Sequence, residues 1–350
     1  MAREYMPLKM LIFGPKTEFM ETPPKFAVIG GGSWATAIVK MLCENLDEVG
    51  WYMRSVYAVE YIRKQEHNPN YLSSVEFDVA QLNLTTDINE AVRNSDILIF
   101  AIPSAFVQRE LEKLSESLED KIIFSAIKGI VPETSLIVGE HFHKIYNIPY
   151  ENIGVITGPC HAEEVALERL SYLTIACSDE EKSKLVARYL SSDYITCKTS
   201  DDIVGTEYAA MLKNIYAIAA GIAHGLGYGD NFQSVLMSNA IREMKKFIKK
   251  VHKMKRNIND SAYLGDLLVT GYSLFSRNRM FGNMIGKGYT VKSAQMEMSM
   301  VAEGYYATES AYKIVQETGA KTPIINAIYG ILYQGKEPKK VFKKLAEKLN

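Results

Sequence analysis

The chain lacks the usual marks of a membrane protein, a disulfide scaffold, a metalloprotein or a nucleic-acid binder. No apolar run approaches the ~20 residues of a membrane span. The apolar patch Met6 to Phe13 is short, holds Pro7 and Lys9 and has no small-residue cleavage site, so it does not read as a signal peptide. The four cysteines (Cys43, Cys160, Cys177, Cys197) are scattered, with no C-x-x-C pair and no zinc spacing, which fits a reducing compartment and excludes a disulfide framework. The histidines build no metal site: His161-Ala-Glu-Glu lacks the second histidine of H-E-x-x-H, and His141-Phe-His143 stands alone. There is no G-x-S-x-G nucleophile elbow and no internal repeat. Charge of one sign is missing too. The formal net charge of -1 removes any bulk electrostatic reason to expect nucleic acid.

What is present is ample apolar material, 47% of 350 residues, enough for about two domains. Residues 1–24 read as an N-terminal extension ending at Pro23-Pro24. Phe26 to Ile29 is a short apolar run followed at once by GGGSWATAIVKML. Strand, glycine turn, helix is the setting a dinucleotide fingerprint requires. Gly30 permits the tight turn, and Gly32 lets backbone N–H groups approach a pyrophosphate at the helix start. Ala35 takes the third glycine position. Further strands are expected at Val49 to Met53, Ser95 to Ile102, Lys121 to Ala126, Asn152 to Ile156, Ser171 to Cys177 and Tyr194 to Cys197. With helical segments between them they read as a parallel sheet, which binds ligands beyond the carboxyl ends of its strands. Lys128 and Gly158 lie at such ends. Arg54 follows the second strand, where an acidic residue holds the ribose hydroxyls in NAD-preferring sites; an arginine there suits a 2′-phosphate or is an ordinary surface residue.

From about Ile203 strand-like runs nearly vanish and helical periodicity continues to the end. The expected organisation is α/β: a Rossmann-type parallel-sheet domain over 25–205, then an all-helical domain over 206–350. The helical part opens on GTEYAAMLKNIYAIAAGIAHGLGYGDN. Within it, Ala209, Leu212, Ile215, Tyr216, Ala219 and Ile222 mark a buried face. Lys213 sits inside that pattern, either snorkelling to the surface or held in a cleft as a catalytic group. Ser276-Arg277-Asn278-Arg279 is either a surface cap or a phosphate cradle, since arginine offers a planar fork of donors and Ser and Asn offer neutral ones. The lysine-rich stretch Arg242 to Arg256 carries an apolar stripe. It reads as a helix with one solvated basic face, or as a surface for a membrane or an acidic partner.

Together these motifs resemble the bacterial NAD(P)-dependent glycerol-3-phosphate dehydrogenases, from Lys25 to about Gly335. GGGSWATA is similar to that family's G-x-G-S-W-G-T-A loop, AIKGI to its lysine segment, and GPCHAEEV to its G-P-[ST]-x-A-x-E-V segment. LKNIYAIAAGIAHGLGYGDN is similar to its catalytic helix, GDLLVTGYSLFSRNRMFG to its G-D-L-x-x-T-x-x-S-x-x-S-R-N-R-x-F-G segment, and VAEGY to its V-x-E-G segment. This chain departs from the family at Ala35, at Cys160 (usually Ser or Thr), at His224 (commonly Asp) and at Gly271-Tyr272.

The resemblance implies reversible hydride transfer between NAD(P)H and dihydroxyacetone phosphate, giving sn-glycerol 3-phosphate. Lys213 would be the proton donor and acceptor, with Lys128 and Asp266 beside it. Lys128, Gly158, Cys160, Lys213, Asn214, Asp266, Thr270, Ser276, Arg277 and Asn278 would surround the substrate. Gly30, Gly32, Ser33, Trp34, Arg54, Lys128, Ala162, Arg277 and Glu303 would touch NADP or NAD, with NADPH accepted. It also implies a cytoplasmic homodimer that supplies phospholipid synthesis, with no membrane span and no nucleic acid. Dehydrogenases of hydroxy acids or phosphogluconate share the glycine loop and a helical second domain but are not expected to carry the Ser-Arg-Asn-Arg cluster. A catalytically silent NADP-binding sensor is opposed by the intact Lys213, Lys128 and Asp266.

Overall fold

The computed structural model describes residues 23–273, 275–298 and 302–350. The extension over 1–24 therefore lies almost wholly outside the described residues, as do Leu274 and Val301 of the motifs above.

The first half is an eight-stranded sheet, with the helix α1 (Ser33–Cys43) following its first strand. Its strands are β1 (Phe26–Ile29), β2 (Val49–Tyr52), β3 (Leu82–Thr85), β4 (Ile97–Phe100), β5 (Ile122–Ser125), β6 (Ile153–Thr157), β7 (Ser171–Cys177) and β8 (Ile195–Ser200). Across the sheet they run β8-β7-β6-β5-β4-β1-β2-β3. Strands β1 and β4 are buried at every residue, as their unbroken apolar runs require in a sheet covered on both faces. They pair in parallel, from Phe26 with Ile97 to Ile29 with Phe100. The strand order reverses between them, which opens the crevice beyond their carboxyl ends.

The sheet is parallel as expected except at one pair: β6 and β7 run antiparallel. The helix between them, Ala162–Ala166, has five residues. At 1.5 Å per residue it rises only about 7.5 Å, too little to carry the chain back along a strand of about 17 Å. Strand β3 is an addition, because its four residues, LNLT, are too few to show a period. The helix that carries the lysine-rich stretch starts earlier than expected, at Asp230, and also ends earlier, at Val251.

The second half is helical and packs around α2 (Ile203–Gly225), whose residues from Gly205 to Ala223 are all buried. A helix apolar on every side belongs in the middle of a bundle. The expected domain boundary at 205/206 falls in its first turn. Around α2 lie α3 (Asp230–Val251), α4 (Asp266–Tyr272), α5 (Arg277–Gly286) and α6 (Glu303–Thr318). The α2–α5 contact is backbone on backbone: a Cβ on Gly282 would stand 2.1 Å from the Ile218 carbonyl oxygen, and one on Gly221 2.1 Å from that of Arg279. That approach brings the amino end of α5 alongside the middle of α2.

Candidate active site

The glycine loop is shaped from both sides. Gly30 has φ +142° and lies so close to β4 that a Cβ would meet the Ala101 carbonyl oxygen at 2.4 Å. The Trp51 indole donates to the Gly30 carbonyl at 2.7 Å. Buried Asn68 donates to the Gly31 carbonyl at 3.2 Å and to the Thr36 hydroxyl at 2.9 Å. Sequence reasoning missed Asn68, since one asparagine in HNPNYL carries no period or motif. Gly32 is different: nothing stands within 4 Å of its missing Cβ. Packing does not demand that glycine, and the open space lies over the start of the helix Ser33–Cys43, which has no side-chain cap. Unclaimed helix N–H groups facing free space fit a pyrophosphate. The Trp34 indole N–H nearby is buried with no partner among the described residues. These residues therefore fit a dinucleotide. Ser33 begins the helix, Ala162 is buried at the start of Ala162–Ala166, and Arg54 stands exposed just beyond β2.

The loops after β5 and β6 bring Lys128 and Gly158 toward the helical half. The Lys128 ammonium lies 5.4 Å from the centre of the Trp34 ring, a cation–π distance. The Lys128 carbonyl accepts from the Asn214 amide at 3.4 Å, a contact that joins the two halves. Cys160 is buried in the core of the sheet half, and that burial pushes its thiol up to about 12. It is a packed thiol rather than a thiolate.

At the centre, Lys213 and Asp266 form a buried ion pair, with side chains 4% and 2% exposed. Lys213 is thus no snorkelling lysine. Burial pulls its ammonium from 10.5 down to about 7; Lys128 pushes the same way and Asp266 opposes. The Thr270 hydroxyl donates to the Asp266 carbonyl oxygen at 2.6 Å, while Asp266 Oδ2 is buried without a partner among the described residues. Ser276 caps α5 by accepting from the Arg279 N–H at 3.3 Å. Buried Asn278 accepts from the Gly304 N–H at 2.9 Å, and the missing Cβ of Gly304 would lie 2.7 Å from the Asn214 carbonyl oxygen. Glu303 opens α6; burial raises its carboxyl, while Arg277, Lys128 and Lys213 pull it back. His161 was passed over in the sequence because it failed as a metal ligand. Burial, then Lys128 and Lys213, push its imidazole down to about 4.

The structure thus brings Lys128, Lys213, Asn214, Asp266, Thr270, Asn278 and Glu303 into one contact and charge network, with Arg277 inside its field. Arg54 stands outside it, exposed just beyond β2 and within the field of Tyr52 and Glu110. A buried ammonium poised near neutrality, beside a second cation and a carboxylate, can give and take a proton. No group of three or more potential metal ligands occurs among the described residues.

Comparison with known proteins agrees. Models of the NAD-dependent glycerol-3-phosphate dehydrogenase N-terminus and C-terminus match residues 25–183 and 202–343. A glycerol-3-phosphate dehydrogenase [NAD(P)+] from Exiguobacterium sp. is 37% identical over 324 residues, covering 91% of this chain and 94% of the relative. The counterpart from Staphylococcus carnosus is 33% identical, covering 89% and 94%. The crystal structure of glycerol-3-phosphate dehydrogenase from Coxiella burnetii superposes with a TM-score of 0.85 at 26% identity, over 93% of this chain and 99% of that one. D-mandelate dehydrogenase, at 16% identity and a TM-score of 0.61, shares the fold alone. On these matches the chain belongs to the NAD-dependent glycerol-3-phosphate dehydrogenase family.

Proposed function

We propose that the chain interconverts dihydroxyacetone phosphate and sn-glycerol 3-phosphate, with Lys213 as the group that gives and takes the proton. A nicotinamide cofactor, NAD or NADP, supplies or accepts the hydride. During reduction, negative charge grows on the ketone oxygen, and an ammonium already desolvated and oriented stabilises it and delivers the proton. Asp266 holds the Lys213 Nζ in place. Lys128 keeps that ammonium acidic enough to release its proton and adds positive charge to the substrate side. Asn214 and Thr270 line the same space. The phosphate rests on the amino end of α5, where Arg277 offers a fork and Ser276 and Asn278 offer neutral donors. Gly158 and Cys160 border the substrate through their backbone. Gly30, Gly32, Ser33, Trp34, Arg54, Ala162 and Glu303 hold the cofactor, with Lys128 and Arg277 reaching both ligands. The domains are 25–205 for the cofactor and 206–350 for the substrate. The enzyme works as a cytoplasmic homodimer whose product feeds phospholipid synthesis. No helix among the described residues is long and apolar enough to cross a membrane.

The observation that carries the reading is the buried Lys213–Asp266 pair with Lys128 beside it. The test is Lys213→Ala, assayed by NADPH absorbance loss with dihydroxyacetone phosphate. Its kcat should fall by ~10²–10⁴, the size of a positioned acid/base, while NADPH binding by fluorescence stays unchanged. A variant that keeps its kcat sinks the assignment.

A further inference from the structure

A second buried carboxylate ties together the two elements that carry the reacting pair. Asp202 caps α2, its Oδ1 accepting from the Gly205 N–H at 2.9 Å. Arg256 donates to the same carboxylate twice, from Nε to Oδ2 at 2.6 Å and from Nη2 to Oδ1 at 3.0 Å. The Tyr263 hydroxyl donates to Oδ2 as well. The Asp202 and Arg256 side chains are 4% and 7% exposed, so this is an interior junction with little water to replace a lost bond. Burial pushes the Asp202 carboxyl up, yet Arg256, Tyr263 and the Gly205 N–H hold it below the usual range, so it stays charged.

Position gives the junction its consequence. Tyr263 lies in a π-helical turn, Ser261–Gly265, that runs directly into Asp266 at the start of α4. Such turns are rare and recur at functional sites. Lys213 lies further along the helix that Asp202 caps. Among the described residues two polar ties therefore join α2 to the 256–266 segment, beside the apolar packing of Ala262 and Tyr263 in the same core: the Asp202 junction and the Lys213–Asp266 pair. Little else orients the Asp266 side chain. Its Oδ1 meets Lys213 and, at 3.5 Å, the Thr270 hydroxyl, while its Oδ2 has no partner among the described residues. The backbone that carries this carboxylate continues directly from the π-helical turn.

We propose that Asp202, Arg256 and Tyr263 are positioning residues, whose shared junction locks the π-helical turn against the start of α2 and so sets how closely Asp266 holds the Lys213 ammonium. The proposal rests on Lys213 being the acid/base. Lys213 is faced by Asp266 from α4, Lys128 from the loop after β5, His161 from the loop after β6 and Glu303 from α6. Of these only Asp266 is coupled to the junction. Loosening it removes support for the charged ammonium and leaves the other three as they are.

The test uses the full chain with Tyr263→Phe, which deletes one hydrogen bond and keeps the ring, and Arg256→Lys, which keeps the charge and loses the fork. Reduction of dihydroxyacetone phosphate is followed from pH 5.5 to 9 at saturating NADPH, and the folded fraction is measured by urea unfolding. Both variants should lower kcat about five- to fifty-fold, with NADPH affinity unchanged. The alkaline limb of kcat should move about half a unit or more to lower pH, because an ammonium with less support from a carboxylate loses its proton sooner. Glu243→Gln, a buried carboxyl elsewhere in the helical half, should leave the limb in place. A limb unmoved in both junction variants, with kcat reduced only by the unfolded fraction, overturns the proposal. A limb that persists in Lys213→Ala overturns the acid/base reading and this proposal with it; a limb lost there but unmoved in Tyr263→Phe overturns this proposal alone.

Discussion

At the residue scale the chemistry depends on one displaced titration. An exposed lysine stays protonated to about pH 10.4, where it is a poor proton donor at neutrality. Burial brings Lys213 to about 7, and the Asp266 contact keeps it from falling further. The reductive direction needs the ammonium, so its kcat should decline as pH rises through about 7. The oxidative direction needs the neutral amine, so its kcat should decline as pH falls through the same region. Steady-state rates in both directions over pH 5.5 to 9 check this; limbs running the same way in both would exclude Lys213. Arg277→Ala should cost a charge-assisted contact to the phosphate, about 1.5–3 kcal/mol, or roughly ten- to 150-fold in kcat/KM. Unphosphorylated dihydroxyacetone should be a very poor substrate, and equal rates with and without the phosphate would give the cluster another task. Arg54 lies apart from this chemistry, exposed beyond β2. A guanidinium there can pair with a 2′-phosphate, so Arg54→Ala should raise KM for NADPH about five- to 150-fold and leave NADH nearly untouched. An equal loss for both cofactors would show that it does not read the phosphate.

At the element scale, α2 and α5 are held by the absence of side chains. The Gly282 position faces the Ile218 carbonyl, and the Gly221 position faces that of Arg279, both at 2.1 Å for an added Cβ. Backbone cannot give way as a side-chain tip can, so Gly282→Ala should force the helices apart. It should lower stability by about 1–3 kcal/mol or more by overpacking. Because α5 carries Ser276, Arg277 and Asn278 at its start, KM for dihydroxyacetone phosphate should rise more than KM for the cofactor. A urea titration together with the two KM values separates these effects. A variant with wild-type stability and kinetics would mean the helices do not approach this closely. The same scale shows what the sequence made legible. The strand–glycine–helix start at Phe26 and the long buried pattern of α2 are local periodicities, and both stand as expected. The antiparallel β6–β7 pairing follows from a connection too short for a crossover, and the π-helical turn before Asp266 is bonded through Tyr263 to Asp202, 61 residues away. Neither leaves a period to read. The Lys213–Asp266 pair spans 53 residues and was accessible only through family motifs, not through spacing.

At the scale of the whole molecule, two buried carboxylates hold helices that lie far from them in sequence. Glu207 of α2 accepts from the Gly139 N–H at 3.1 and 3.0 Å, which fastens the helix Val138–Tyr146 of the sheet half to the helical half. Glu243 of α3 accepts from the N–H groups of Ile324 and Ile325 at 2.8 and 2.9 Å, at the start of Pro323–Leu332. These contacts satisfy orphan donors at helix starts, where a negative charge is also favoured. Burial dominates nevertheless, and each carboxyl is pushed up to about 8. In the unfolded chain both titrate near 4.3. Between those values the folded chain binds more protons than the unfolded one, so stability present below about 4.3 is lost as pH rises toward 8. Lys213 acts the other way only above about 7, where the unfolded chain is the better proton binder. Between pH 5 and 7 Lys213 is silent, but the depressed His161 and His141 oppose the fall and Glu303 adds to it. Each carboxyl, worth a slope of at most ~1.4 kcal/mol per pH unit, is therefore read from the difference between a variant and the wild type. Glu243→Gln cannot ionise and keeps one of the two acceptor oxygens, so it costs stability at low pH but carries no titration of its own. The gap between the wild-type and variant urea midpoints should narrow from pH 5 to 7. Midpoint curves that run parallel would mean that Glu243 is already ionised in the folded chain, with its two N–H partners outweighing its burial.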